Sequence, residues 1–533
     1  MMDSSALIIS LGIGIGFVYL VDKAFSLSKN ARHPPLPPGP RGLPLVGNLL
    51  DLPKGGEFES HHWLKHKDLY GPISSITVMG QTMVILNDSR LVFELLEKQS
   101  AKYSSRPNLA FAGEMVGWKD AFAMVPNNSR WRKYRKDSAR VVGSKAAAAQ
   151  FSPLQEAEVG HFLLHLLESP EHLFDHIRKE TGTTILKIVY GYTAEPHQND
   201  PLIDLVDGAM AHFAIAANPG AWMVDIFPLL KNIPDWVPGT GFKKVAREWA
   251  AELDELIEKP RAFVKHQMAQ GKDNMSFLSR LLEAGDTDPE QHLTNKVGAM
   301  SMYAAGADTT VSSMMCFFLA MMVYPKVQRK AQEEIDRVVG QGRLPTMTDR
   351  SNLPYIGAVI KEVLRWHPVA PMALAHTSTE DNICEGYFIP KGAMLLPNVY
   401  HFTHDPNRYK DPMEFKPERF LATDGHEPET DPNQFVFGFG RRACAGRELA
   451  GNTLYLNIAQ TLAVFNIGKH VENGREVEPA VEFESGVISH PLPYKCLIKP
   501  RSPHHEKLIR SIEDIYPWEK SDAKTLERVA STI

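Results

Sequence analysis

Phe435–Ala450 reads FVFGFGRRACAGRELA, and it places one cysteine among residues suited to hold a metal. Gly438 and Gly440 flank an aromatic, Arg441 and Arg442 precede Cys444, and Gly446 follows it. The next stretch, RELAGNTLYLNIAQTLAVF, reads as a long helix. A thiol on a glycine-rich turn before a helix sits among backbone N–H donors. Those donors and the positive end of the helix are expected to lower its pKa, giving a thiolate that can bind a metal. The same donors temper the sulfur's charge and tune the metal. Without such a frame, a lone cysteine is most often a small buried hydrophobe.

Three other spacings carry chemistry. Glu362 and Arg365, in AVIKEVLRWHP, stand three apart on one helix face, close enough to pair. Such pairs are common and usually solvated, but this one lies among apolar residues, with EFKPERF downstream at Glu414–Phe420. Ala305–Thr310 reads AGADTT inside a long apolar helix. Gly306 weakens that helix and the Thr309 hydroxyl competes for a backbone carbonyl, so a local opening is expected there. Asp308 is a carboxylate in an apolar run, costly without a partner or a role. Trp131 and Arg135, in RWRKYRK, share a helix face by their four-residue spacing. An arginine there suits a bidentate carboxylate, although Arg130, Arg132, Lys133 and Lys136 also make this a basic helix face.

The string F-x-x-G-x-R-x-C-x-G is complete in Phe437, Gly440, Arg442, Cys444 and Gly446. It resembles the haem-binding signature of the cytochrome P-450 family. Ala445 departs from the proline often found there, which loosens the turn and leaves the ligand in place. The four motifs follow the family's order, and the resemblance runs from about Pro34 to Pro500. It implies a mainly α fold with a minor β part. It implies heme b with Cys444 as the axial ligand, and Phe437, Gly438 and Gly446 as further cofactor-binding residues of the loop. Trp131, Arg135 and Arg442 are implied as haem-propionate residues, with His376 a weaker candidate. Glu362, Arg365 and Arg419 are implied as a buried network behind the haem. Thr309 would orient iron-bound oxygen and Asp308 would relay protons to it.

The reaction so implied is a monooxygenation: one oxygen atom from O2 enters a lipophilic small molecule, and a thiolate ligand favours O–O cleavage. The stretch after Cys444 is too short for a flavin domain. Electrons are therefore expected from NADPH through a separate reductase, docking near the basic face around Trp131. The segments FAGEMVGW, AMAHFAIAA, SMYAAGAD, VAPMALA and SGVIS, which would line the pocket, are mostly apolar. Their style resembles enzymes of fungal secondary-metabolite pathways such as terpenoid routes. Two alternatives stay open: a haem-thiolate isomerase or dehydratase that uses no O2, and a non-catalytic haem sensor. Neither needs the Asp308–Thr309 pair.

These residues must be positioned by helices. Apolar residues at three- and four-residue spacing predict helices over Leu91–Lys98, Leu154–Leu167, Leu173–Tyr190, Val245–Met268 and Gln291–Val323. Another starts at Pro325. Short strands are predicted at Ile73–Val78, Met83–Leu86 and Met394–Pro397. The tail after Pro500 carries an amphipathic stretch, Glu506–Tyr516, readable as an appended helix or as disorder. Residues 34–500 form the expected catalytic domain, 501–533 the tail and 1–33 a membrane anchor with its flank. Ala6–Val21 is uncharged, approaching the ~17–25 residues that cross a bilayer. Lys23, Lys29 and Arg32 follow it, which predicts a single pass through the endoplasmic reticulum membrane with a cytoplasmic catalytic domain. No basic stretch precedes it and no clean A-x-A site follows it, against a cleaved signal peptide. The sequons at Asn87, Asn127 and Asn274 would then stay unmodified.

Composition excludes other classes. The chain has 58 Lys+Arg against 63 Asp+Glu, a formal charge of -5, so no basic excess points to nucleic acid. Four cysteines without C-x-x-C pairing make neither a disulfide scaffold nor a structural zinc site.

Overall fold

The computed structural model describes residues 33–218, 220–272, 275–422, 425 and 427–531. The proposed membrane anchor (Ala6–Val21) and the Asn274 sequon lie outside them. The chain divides into two compact units, Met1–Pro107 with Met372–Asn398, and Asn108–Pro371 with Val399–Ile533.

The first unit is built on a small sheet. Strands β1 (Ile73–Val78) and β2 (Gln81–Leu86) form a hairpin in which Val78 faces Gln81. Its turn is Met79–Gly80, with φ of 48° and 84°, the positive pair that a two-residue hairpin requires. Downstream come β3 (His376–Thr377), β4 (Asn382–Cys384), β5 (Tyr387–Ile389) and β6 (Met394–Pro397). The sheet order is β1-β2-β6-β3, with β6 parallel to β2, while β4 and β5 pair separately. β3, β4 and β5 were not predicted, because each is only two or three residues long.

The second unit is helical. Its central helix, Pro289–Val323, starts where Asp288 accepts from Gln291 N and Pro289 sets the first turn. From Val311 to Met322 nearly every side chain is buried, whichever way it points, so this helix is the core of the unit. Packed around it are Ser152–Glu168, Leu173–Tyr190, Pro354–Trp366 and Arg447–Val464. Leu173–Tyr190 stops at Gly191, whose φ of 62° gives the left-handed cap. Among the described residues this central helix alone is long and apolar enough to cross a membrane, and it is mostly buried inside the protein.

Two elements depart from the periodicity. The predicted helix Leu91–Lys98 is one α-turn, Ser89–Val92, followed by a wider π-wound stretch, Phe93–Lys98. Past Pro500 the chain folds as Pro503–Arg510, a turn at Ile512–Ile515, and Ala523–Ala530. Ile512 and Leu526 are buried, and Trp518 stacks on His161 with ring centres 4.0 Å apart.

Candidate active site

The cysteine loop owes its shape to its glycines. Gly438 and Gly440 have φ of 73° and 54°, a region that side-chain-bearing residues avoid. The loop closes where Cys444 N donates to Phe437 O at 2.7 Å, and Phe437 packs against the apolar core. Gly446 precedes the Arg447–Val464 helix. A Cβ on it would lie 4.0 Å from Cys444 Sγ, so glycine keeps space beside the sulfur.

The Cys444 side chain is exposed, yet much protein surrounds it. That surrounding raises the thiol above its usual range. The N–H groups of Gly446 and Arg447 and the charges of Arg135 and Arg447 act in the opposite direction. The expected lowering groups are thus in place, but without a cation on the sulfur desolvation outweighs them. The sequence-based expectation of a lowered pKa is corrected in this respect.

The Ser129–Val142 helix, capped by Asn128, leans on this loop. Arg135 Nη1 donates to Ala443 O, next to the cysteine. The Arg442 guanidinium lies over the Trp131 ring, 4.6 Å from its centre, and donates to Phe122 O and Val125 O at 3.2 and 2.7 Å. Trp131 Nε1 is buried without a hydrogen-bond partner. The basic face is partly neutralised: Arg130 Nε donates to Glu290 at 2.7 Å and Lys133 to Asp137 at 2.8 Å, while Arg132 and Lys136 stay exposed.

Glu362, Arg365 and Arg419 come together as expected, all buried. Arg365 donates twice to Glu362, and Arg419 Nε reaches Glu362 Oε1 at 3.2 Å. The remaining Arg365 donors go to the carbonyls of Thr403, Pro412 and Glu414. Pro412 and Glu414 lie in the Pro-rich segment ahead of the cysteine loop and Thr403 in the Val399–His404 helix before it, so the arginine ties the two together.

The AGADTT segment does not open. The helix is continuous, and Thr309 Oγ1 donates to Ala305 O at 2.8 Å. Gly306 serves close packing instead: a Cβ there would meet Ile185 at 2.8 Å. Ala305 is exposed and Thr309 half-buried, while Asp308 turns inward. Burial pushes the Asp308 carboxyl up to about 7, helped by Asp207 and Glu484 and opposed by Arg178. Its contact is His490 Nε2, 3.1 Å from Oδ1.

His376 belongs to the first unit, buried in β3 with Nδ1 2.7 Å from Tyr103 O. Beside it Arg106 is buried and donates to Leu374 O and Ala375 O, and burial lowers its pKa to about 10. Neither Arg106 nor His490 was found by sequence reasoning, since each stands outside any motif.

A model of the cytochrome P-450 family matches residues 37–498. The chain is a cytochrome P-450. It is 50% identical over 520 residues to the cytochrome P-450 monooxygenase claR of Ampulloclitocybe clavipes, covering 97% of this chain and 95% of that protein. It is 47% identical to the monooxygenase ppsD of Aspergillus oryzae, over 93% of this chain and 94% of that one. It is also 42% identical to the O-methylsterigmatocystin oxidoreductase of Aspergillus flavus, over 98% of each. As a cytochrome P-450 the chain is a monooxygenase that uses a haem with a thiolate ligand, a redox partner and a small-molecule substrate. The residues present fit such a group. An exposed thiol stands beside a cationic arginine, and the orphaned Trp131 Nε1 is a donor suited to a haem carboxylate.

Proposed function

We propose that the chain holds heme b through the Cys444 thiolate and inserts one oxygen atom from O2 into a lipophilic small molecule. The observation that carries this is the Cys444 loop: an exposed thiol before a helix N-terminus, with Arg135 beside it. When bound, the haem supplies O2 activation at an iron whose thiolate ligand favours O–O cleavage.

The chain's own residues hold and prepare this group. Trp131, Arg135 and Arg442 take the haem carboxylates. Phe437, Gly438 and Gly446 shape the loop around the sulfur. Glu362, Arg365 and Arg419 fix the segment ahead of it. Asp308 carries a proton near neutral pH, supported by its carboxyl's shift to about 7. Thr309 holds a proton at Oγ1 on the less buried face of the same helix and orients it.

The substrate is proposed to be a secondary metabolite, in keeping with the O-methylsterigmatocystin in the name of one relative. A terpenoid is the narrower proposal. Apolar segments support a lipophilic substrate, as where Phe111 stacks on Trp222 with ring centres 3.6 Å apart. Electrons are proposed to come from an NADPH-dependent reductase docking near Arg132 and Lys136. The uncharged run Ala6–Val21 supports anchoring in the endoplasmic reticulum membrane. The proposed organisation keeps 34–500 as the catalytic domain and 501–533 as its tail.

The test is incubation of the haem-loaded chain with reductase, NADPH, a panel of lipophilic terpenoids and polyketides, and isotopically labelled O2. One labelled oxygen atom per product is expected. Product formed without O2 or NADPH would support the isomerase reading instead.

A further inference from the structure

The contact between Asp308 and His490 joins residues far apart in the chain. His490 ends the 484–490 turn, which closes where Glu484 N donates to His490 O at 2.8 Å. The preceding residue is anchored to the same helix as Asp308: Ser312 Oγ donates to Ser489 O at 2.6 Å. Ser312 stands one turn beyond Asp308, on the same helix face. Two successive turn residues thus contact two helix residues four apart. Ser489 is fixed further, with its N donating to Val369 O at 2.9 Å, its Oγ donating to Glu484 O at 2.7 Å and His367 Nε2 2.9 Å from that Oγ. The imidazole therefore reaches Asp308 from a backbone with little freedom.

Both side chains are nearly enclosed, His490 at 14% and Asp308 at 12% exposure. Burial holds His490 down to about 4, with the Arg178 charge acting the same way. The imidazole is neutral while the carboxyl titrates, so their 3.1 Å approach is not an ion pair. A neutral imidazole nitrogen accepts from a carboxylic acid in one tautomer and donates to a carboxylate in the other. The charged groups around the pair are Arg178 on the Leu173–Tyr190 helix, Asp207 on the Pro201–Ala216 helix and Glu484 on the turn. Arg178 Nε lies 3.1 Å from Asp207, so the cation nearest the pair is already engaged.

We propose that His490 is the positioning residue for Asp308, holding its carboxyl in one orientation both protonated and ionised, so that the proton is released and regained without a side-chain rotation. This rests on the reading of Asp308 as the proton donor. A carboxyl that must cycle between two states works best when neither state needs rearrangement.

The test compares His490→Phe, which keeps a ring and loses the nitrogen 3.1 Å from the carboxyl, with His490→Gln, which keeps a donor and an acceptor. The first readout is the infrared carbonyl band of Asp308 in the haem-loaded ferric protein, identified by its loss in Asp308→Asn. The second is product formed per NADPH with reductase. In His490→Phe the band is expected to shift and broaden and the yield to fall about 10-fold, in the range of a lost proton-transfer contribution. In His490→Gln the narrow band and most of the yield are expected to return. Should His490→Phe not retain haem, His490→Leu takes its place. An unchanged band or yield without the imidazole would overturn the proposal, as would a glutamine variant no better than phenylalanine. Full yield in Asp308→Asn would remove the reading of Asp308 and this proposal with it. Low yield in Asp308→Asn beside a normal His490→Phe would remove the His490 inference alone.

Discussion

Arg365 donates to Glu362 through Nε at 2.7 Å and Nη2 at 2.8 Å, and both side chains are fully buried. Glu362 also accepts from Lys416 N at 2.7 Å and from Arg419. A buried pair adds little net stability over an apolar one, but removing one charge strands the other. Glu362→Gln is therefore expected to cost about 3–5 kcal/mol and to lower haem retention, read by denaturant unfolding and haem content. A variant as stable as the parent would mean the network is dispensable.

Gly306→Ala tests the packing of the central helix. Alanine alone would favour a helix by up to about 1 kcal/mol. Here its Cβ meets Ile185 at 2.8 Å, and Ile185 is itself buried. Net destabilisation of about 1–3 kcal/mol is expected, relieved when Ile185→Val is added. Thermal unfolding of both variants checks this, and an unaided gain in stability from alanine would contradict it.

Thr309→Ala removes the hydroxyl that donates to Ala305 O at the half-buried face of the helix. The variant should fold and retain haem, since only one helix-internal bond is lost. Product per NADPH should fall about 10-fold or more, with the missing electrons appearing as hydrogen peroxide. Parental yield would show that the hydroxyl has no part in proton delivery.

A pH effect on stability follows from His165. It lies 5.2 Å from His176 and 5.1 Å from Trp518, ring centre to ring centre. Burial, then the charges of His176 and Lys179, lower its pKa from 6.5 to about 3. The unfolded chain therefore takes up this proton first. The stabilisation is complete above about pH 6.5 and is lost as pH falls toward 3. His165→Gln should flatten that loss relative to the parent in urea unfolding. Parallel curves for the two proteins would rule it out.

What could be read from the sequence was local. Pro325 marks a helix start through a backbone rule alone, and Leu173–Tyr190 was placed to the residue. The cysteine loop and the Glu362–Arg365 pair were legible because their chemistry sits within one turn or one helix. Asp308 was recognised as a costly carboxylate, but its partner His490 is 3.1 Å away only after folding. The π-wound Phe93–Lys98 has the same apolar spacing as an α-helix over so short a stretch. The tail's amphipathic pattern left helix and disorder both open, and the structure shows helix at Pro503–Arg510. The tail's docking was not legible, because the surface that receives Trp518 is assembled from His161 and His165 on another helix. The Cys444 pKa direction was misjudged because sequence reveals N–H donors and hides how much protein surrounds the sulfur.

The central claim is that Cys444 supplies the thiolate to the haem iron. The measurement is the carbon-monoxide difference spectrum of the reduced, haem-loaded protein, recorded beside Cys444→Ser. The account predicts a strongly red-shifted Soret band that the serine variant lacks. A red-shifted band that survives in Cys444→Ser, or a parent band at the position of imidazole-ligated haem that reconstitution does not move, would contradict it.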